Sequence, residues 1–548
     1  MSYLLRVPQT RRLLYPFPQT RVRSALARRH FINTPTYDAI VLNAYADQRG
    51  AAASAANATI ELSATADLTP QTRADILDRL SASGAKAKLG EVRVLYNIGG
   101  MKQVAVVGIG KREELEGGKA RKQLTEEELE GRVMERARIA AAIGAKTLRD
   151  QKAKNIGIDV SISPHGAAEG ARLGLYSFDK LKTPSSRKQD VTIGAFSEPP
   201  ARTTLPSSST LAWDTGLAYA SSQNLARSLM ETPANLMTPK IFAEEVAYVL
   251  AGLDNVDVIV RDQEWVQQQG MNAFLSVARG SQEPLRFLEI HYKGGKKGQK
   301  PLGFVGKGVT FDAGGISLKP SLNMAAMKGD MGGAATVAGA MYGIAKLGLP
   351  INVIAVAPLT ENLPSGLATK PGDVADTDAE GRLILADALY YLTSKFKPHS
   401  VIDLATLTGA MDVALGQAAT RTSDAFWRMP LHPDYLKPMR ASIVADLINI
   451  GNRSGGSCTA AAFLKEFVLG LETPVESTGE EANTPTAAVV VKEEGETIRW
   501  AHIDIAGVME SKEAAGYTPK GMSGRPTRSL IEFARNAASQ ATEAPTPM

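Results

Sequence analysis

The sequence predicts an α/β protein of two domains, a smaller N-terminal α/β domain and a larger C-terminal domain with a mixed, mostly parallel sheet flanked by helices. Three observations predict it. At 548 residues the chain exceeds what one hydrophobic core accommodates. Its 44% hydrophobic and 22% charged residues are those of an ordinary globular chain. Strand-like apolar runs alternate with helix-like ones on both sides of the proline-, serine- and threonine-rich stretch GAFSEPPARTTLPSSST, residues 194–210.

Residues 1–37 hold seven arginines and no acid before Asp38, the composition of a mitochondrial transit peptide, whose import helix needs a basic face. RRHFINTPTYD places an arginine two residues before a cut after His30. These arginines outnumber the chain's net charge of +5, so the remainder is slightly acidic and does not argue for nucleic acid. The expected location is the mitochondrial matrix, with a cytoplasmic form left open by an alternative start. No apolar run reaches the roughly 18 residues of a membrane span. The single cysteine, Cys458, allows no intrachain disulfide and reads as a buried small residue.

Residues 38–195 form the first domain. Strand-like YDAIVLNAY, QVAVVGIG, NIGIDVSIS and DVTIGAF alternate with helical LTPQTRADILDRLSAS and RVMERARIAAAIGAKTL. VAVVGIGKREE lacks the third glycine of a dinucleotide fingerprint and reads as a strand-to-helix turn. Residues 196–211 are the expected linker and 212–535 the second domain. There a long helix, AWDTGLAYASSQNLARSLMET, precedes the strands VDVIVRD, LRFLEIHYK, LGFVGKGVTF, INVIAVAPL and SVIDLATLTGA. The helices GGAATVAGAMYGIAKL and RLILADALYYLTSKF lie between them. Sheets of this kind place ligands at the carboxyl ends of their strands. Residues 471–497 and 536–548 read as mobile and polar, the latter as a disordered tail.

Polar chemistry concentrates near those strand ends. VGKGVTFDAGGISLKP carries Lys307, Asp312 and Lys319, MKGDMGGAA carries Asp330, and DTDAEGRLILAD carries Asp376, Asp378, Glu380, Arg382 and Asp387. Lys307 lies in an apolar run, where an ammonium needs a partner, and Asp312 is the one expected. The glycine after Lys307 excludes a Walker A loop. Residues 376–387 also follow the D-x-D-x-D/N spacing of a calcium loop, but Glu380 is a poor fifth ligand and Asp387 is short where a bidentate glutamate belongs. With no H-E-x-x-H, no G-x-S-x-G and only six histidines, the cluster points to an oxygen-rich dinuclear metal site.

The segments GKGVTFDAGGISLKP, MKGDMGGAA and DTDAEGRLILADAL resemble those of the leucyl aminopeptidase (cytosol aminopeptidase) family of dizinc exopeptidases. PLTENLPSG, ATLTGAMDVALG, SGGSCTAAAFLKEF and WAHIDIAG agree with it, so the resemblance spans most of residues 220–530. It implies two divalent ions per subunit, zinc or manganese. Asp312 and Glu380 bridge them, Lys307 and Asp330 complete one site, and Asp378 completes the other. It makes Lys319 an electrophile for the scissile carbonyl and Arg382 the holder of a bicarbonate that shuttles the proton. Met327, Thr406 and Gly409 would line the first side-chain pocket, with Leu407 offering its carbonyl. The expected substrates are peptides with a free N-terminus, leucine and other apolar residues first, and the expected assembly is a homohexamer. An added nucleic-acid or scaffold role is known for some bacterial relatives, but nothing basic beyond the first 37 residues demands it. Two departures stand out: Asp376 replaces the motif's usual asparagine, and the acidic segment 471–497 is longer than the usual connection.

Overall fold

A computed structural model describes residues 37–47, 59–63, 68–116, 125–196, 213–372, 376–415, 424, 426–452, 454–471 and 497–543. The transit-peptide expectation, most of the linker and nearly all of the acidic segment 471–497 lie outside these residues. Tyr37–Met548 is one compact unit.

The first domain begins with strands β1 (Ala39–Asp47) and β2 (Thr59–Leu62), helix α1 (Pro70–Ala82), and strands β3 (Val92–Ile98) and β4 (Met101–Lys111). Helix α2 (Glu126–Asp150), strand β5 (Asn155–Asp159), helix α3 (Pro164–Gly174) and strand β6 (Thr192–Phe196) complete it. The sheet order is β3-β4-β1-β5-β6, with β2 beside β1. The β1–β4, β1–β5 and β5–β6 pairs are parallel. Strands β1 and β4 are apolar on both faces because one core lies on each side of the sheet. Helix α2 starts where its sequence says it should: Thr125 and Glu128 form a reciprocal capping box, and Glu126, Glu127 and Glu128 face the positive end of the helix dipole.

The second domain opens on helix α4 (Trp213–Glu231), helix α5 (Pro239–Leu250) and strand β7 (Val256–Arg261). Helix α6 (Asn272–Ala278) and strands β8 (Arg286–Lys293), β9 (Leu302–Gly306) and β10 (Gly308–Asp312) follow. Then come α7 (Gly332–Lys346), β11 (Asn352–Asn362), α8 (Glu380–Phe396), β12 (Ser400–Ala405), α9 (Gly456–Lys465), β13 (Arg499–Asp504) and α10 (Thr527–Glu543). The sheet order is β13-β12-β9-β11-β8-β7, with β10 continuing beside β11. Strands β13, β12, β9, β10 and β11 run parallel, β8 runs antiparallel to β11, and β7 in turn runs antiparallel to β8. The expected mixed, mostly parallel sheet is therefore what forms.

Two expectations are corrected. LGFVGKGVTF is two strands, broken at Lys307, whose N–H donates to Leu404 O while its carbonyl accepts from Ala334. The disordered tail expected from 536 is instead the continuation of α10 to Glu543. Ala534 and Ala538 pack that helix inward with Leu530 and Ile531, so small residues that read as polar low complexity bury a helical face.

Candidate metal centre

Four segments converge at the carboxyl ends of β9, β10, β11 and β12. The strand break turns Lys307 out of the ladder, and its Nζ lies 2.7 Å from Asp330 Oδ2, 2.9 Å from Glu380 Oε1 and 3.1 Å from Thr406 O. Asp312, at the end of β10, faces Lys319 Nζ at 2.8 Å, and Asp378 closes on the same ammonium. Lys307 thus pairs with Asp330 and Glu380, and the expected Lys307–Asp312 bridge does not form; Asp312 belongs to Lys319. Two glycines make the approach possible. A Cβ on Gly381 would stand 2.7 Å from Lys307 Nζ, and one on Gly333 only 2.1 Å from Leu404 O. The motif's E-G-R and M-G-G are consequences of this packing.

Carboxylate oxygens of Asp312, Asp330 and Glu380 lie within 4.8 Å of one another. Lys307, Asp312, Asp330 and Glu380 are all buried, while Asp378 stays partly open. Burial opposes the charge on Lys307, but Asp330 and Glu380 outweigh it and hold the ammonium above its ordinary value. Burial, with Glu380 and Asp312 alongside, pushes the Asp330 carboxyl well above its ordinary value in spite of Lys307. Asp312 and Asp378 are raised as well, chiefly by burial. Burial leads, and the charge mismatch adds to it, since four carboxylates face two ammoniums. Asp330 Oδ2, Asp378 Oδ1 and Glu380 Oε1 are buried, and each faces a lysine ammonium. This donor set fits divalent cations: it is oxygen-rich, and its four carboxylates outnumber the two lysines they face.

The remaining predicted residues surround this cluster. Arg382, in the first turn of α8, forms no hydrogen bond or ion pair with another described residue. Its Nε is buried without a partner, and burial lowers its pKa against the pull of Glu380 and Asp504. Such a guanidinium is open to an anion. Thr406 turns its hydroxyl to Asp330 Oδ1 at 2.8 Å, orienting that carboxylate. Met327 occupies the 3₁₀ turn Met324–Gly329 that leads into Asp330. Leu407 and Gly409 follow Thr406 after β12, and space beside Gly409 is open within 4 Å. The calcium-loop alternative fails geometrically. Residues 380–387 are helical, and Asp387 accepts from Phe274 N at 2.8 Å, at the start of α6.

Three residues given no role by sequence reasoning hold the loops. Asp504 accepts from the N–H groups of Leu407 and Ala506 and from the Thr408 hydroxyl. Asn449 bonds both backbone groups of Asp376 and the Ala379 carbonyl. Asn362 bonds Asp312 and Thr377. Asp504 and Asn362 lie in WAHIDIAG and PLTENLPSG, so the motifs were the available signal. A cavity of about 460 Å³ adjoins, lined by Cys458, Trp500, His502 and Asp504 among others. None of the five expected metal ligands lines it.

A parallel sheet flanked by helices, with buried carboxylates and lysines at its strand ends, is the framework of a metal-dependent hydrolase. The particular family follows from comparison. The family model described as cytosol aminopeptidase family, catalytic domain, matches residues 224–531, and that of the family's N-terminal domain matches residues 50–185. The chain belongs to the cytosol aminopeptidase family. It is 46% identical over 491 residues to the cytosol aminopeptidase of Xenopus tropicalis, covering 83% of this chain and 85% of that protein. With the cytosol aminopeptidase of Homo sapiens it shares 43% over 489 residues, at the same coverages. Among solved structures, the bottromycin maturation enzyme BotP in complex with Mn superposes with a TM-score of 0.69 at 29% identity, covering 92% of this chain and all of that one. The protein is a metal-dependent aminopeptidase, a metallo-exopeptidase acting on peptides. No described helix is long and apolar enough to cross a membrane.

Proposed function

We propose that the enzyme removes N-terminal leucine and other apolar residues from peptides through a dinuclear site. Lys307, Asp312, Asp330, Asp378 and Glu380 would hold the two ions. The observation that carries this reading is the excess of buried carboxylate charge over the two lysines. Two divalent ions, zinc or manganese, would supply the Lewis acidity that activates a water and polarises the scissile carbonyl.

The chain's own groups perform the rest. A lysine must lose its proton to act as a ligand, so Lys307 would serve as a neutral amine there. Lys319, held beside Asp312 and Asp378, would donate to the developing oxyanion. Asp330 would receive the substrate's α-ammonium, which explains the need for a free N-terminus. Met327, Thr406 and Gly409 would bound the first side-chain pocket, Thr406 by its methyl since its hydroxyl serves Asp330, and the Leu407 carbonyl would accept from the peptide. Arg382 would hold a bicarbonate, which would supply the proton transfer. Residues 1–37 would direct the chain to the mitochondrial matrix, and the assembly would be a homohexamer.

The test is hydrolysis of leucine amide by the purified chain, with metal content measured in parallel. Activity should vanish on chelation, return with zinc or manganese, and be absent on N-acetyl-leucine amide. Turnover that survives complete metal removal would refute the reading.

A further inference from the structure

We infer that Asn362 is a positioning residue for the metal centre, tying the segment that carries Asp312 to the segment that carries Asp378 and Glu380. The inference rests on the dinuclear reading above. Asn362 ends β11, directly opposite Asp312 at the end of β10, and its carbonyl accepts from Ala313 N at 2.9 Å. Its side chain is buried at 4% exposure of the residue. One nitrogen, Nδ2, donates both its hydrogens: to Asp312 Oδ1 at 2.8 Å and to Thr377 O at 2.9 Å.

Both partners are acceptors without a hydrogen to give, so only an NH₂ can stand between them. The amide oxygen has its own seat, since a Cβ on Gly315 would come within 2.8 Å of it. Asp312 Oδ1 also accepts from Gly314 N at 2.9 Å, and the Thr377 hydroxyl donates to Gly314 O at 2.8 Å. Asp312 therefore has one oxygen fully engaged by the protein and the other, Oδ2, turned to the cluster. Thr377 immediately precedes Asp378, so the same amide sets the height of the acidic loop against β10. Without it, Asp312 and the Thr377 carbonyl lose the one amide that bridges them, and the two segments keep only the Thr377 hydroxyl and the Lys319 ion pairs between them.

The test uses the full chain and reads metal affinity, by chelator competition with zinc and with manganese, beside the melting temperature of the metal-stripped protein. Asn362→Asp has the same shape but sets an oxygen against two acceptors, and Asn362→Ala removes both bonds. Each should weaken metal binding by about 10- to 100-fold, the usual cost of losing a group that orients a ligand. Asn362→Gln keeps an NH₂ on a longer arm and should lose less than either. Wild-type affinity in the aspartate and alanine variants would overturn the inference, as would equal loss in all three, which marks a mere packing role. Wild-type protein that takes up no divalent ion would instead sink the dinuclear reading itself.

Discussion

Asp376 carries a charge next to the carboxylate cluster without facing its lysines. Its Oδ1 accepts from Asp378 N at 3.0 Å, a short-range turn that shapes the loop, and Asn449 holds its backbone on the other side. An asparagine offers the same oxygen and would keep this turn. Asp376→Asn should keep kcat/KM on leucine amide within about twofold, whereas Asp376→Ala loses a hydrogen bond worth about 1 kcal/mol and should fall several-fold. An inactive Asp376→Asn that still binds metal would contradict this account. Lys307 illustrates the opposite limit of local reading. Asp312, five residues on, is its natural partner by distance in sequence, yet the break in the strand sends Lys307 to Asp330 and Glu380.

At the scale of elements, DTDAEGRLILAD resolves into a ligand loop and the first two turns of α8, because Glu380 opens the helix and the apolar run LILADAL buries one face of it. Asp387 is the acid this burial strands. Desolvation pushes its carboxyl up to about 6, and the N–H groups of Phe274 and Ala273 only partly offset that. A carboxyl raised in the fold binds its proton more tightly folded than unfolded. Its contribution is present below the unfolded value near 4 and is lost as pH rises through about 6. Asp387→Asn cannot ionise and should be more stable than wild type at pH 8, by at most about 3 kcal/mol, with the difference closing below pH 4. Urea melts at the two pH values decide it, and a gap that does not depend on pH would rule it out. Helix α10 was missed in part because alanines at 534 and 538 carry little hydropathy, although both are buried by packing that only the fold supplies.

Across the whole molecule, the two domains are locked by a buried charge network. Glu169 on α3, fully buried, meets Arg138 Nε and His165 Nε2 at 3.0 Å each and also pairs with Arg528 on α10. Burial opposes its charge, and the two arginines outweigh it, holding the carboxyl well below the ordinary range. Glu169→Ala leaves two buried guanidiniums without their shared partner and should cost about 3–5 kcal/mol in denaturant melts. A cost under about 1 kcal/mol would show that the network relaxes into solvent. Read by itself, the sequence determined the alternation of strands and helices and the gathering of acids and lysines at strand ends, because periodicity and motif spacing are written within ten to twenty neighbouring residues. The tertiary structure alone decided which lysine meets which carboxylate, the bonds of Asn362, Asn449 and Asp504, and the Glu169 lock. Many of those partners stand far apart in sequence, 23 residues for Lys307 and Asp330 and 359 for Glu169 and Arg528, and their meeting depends on strand register and on one break at Lys307, which no local pattern specifies.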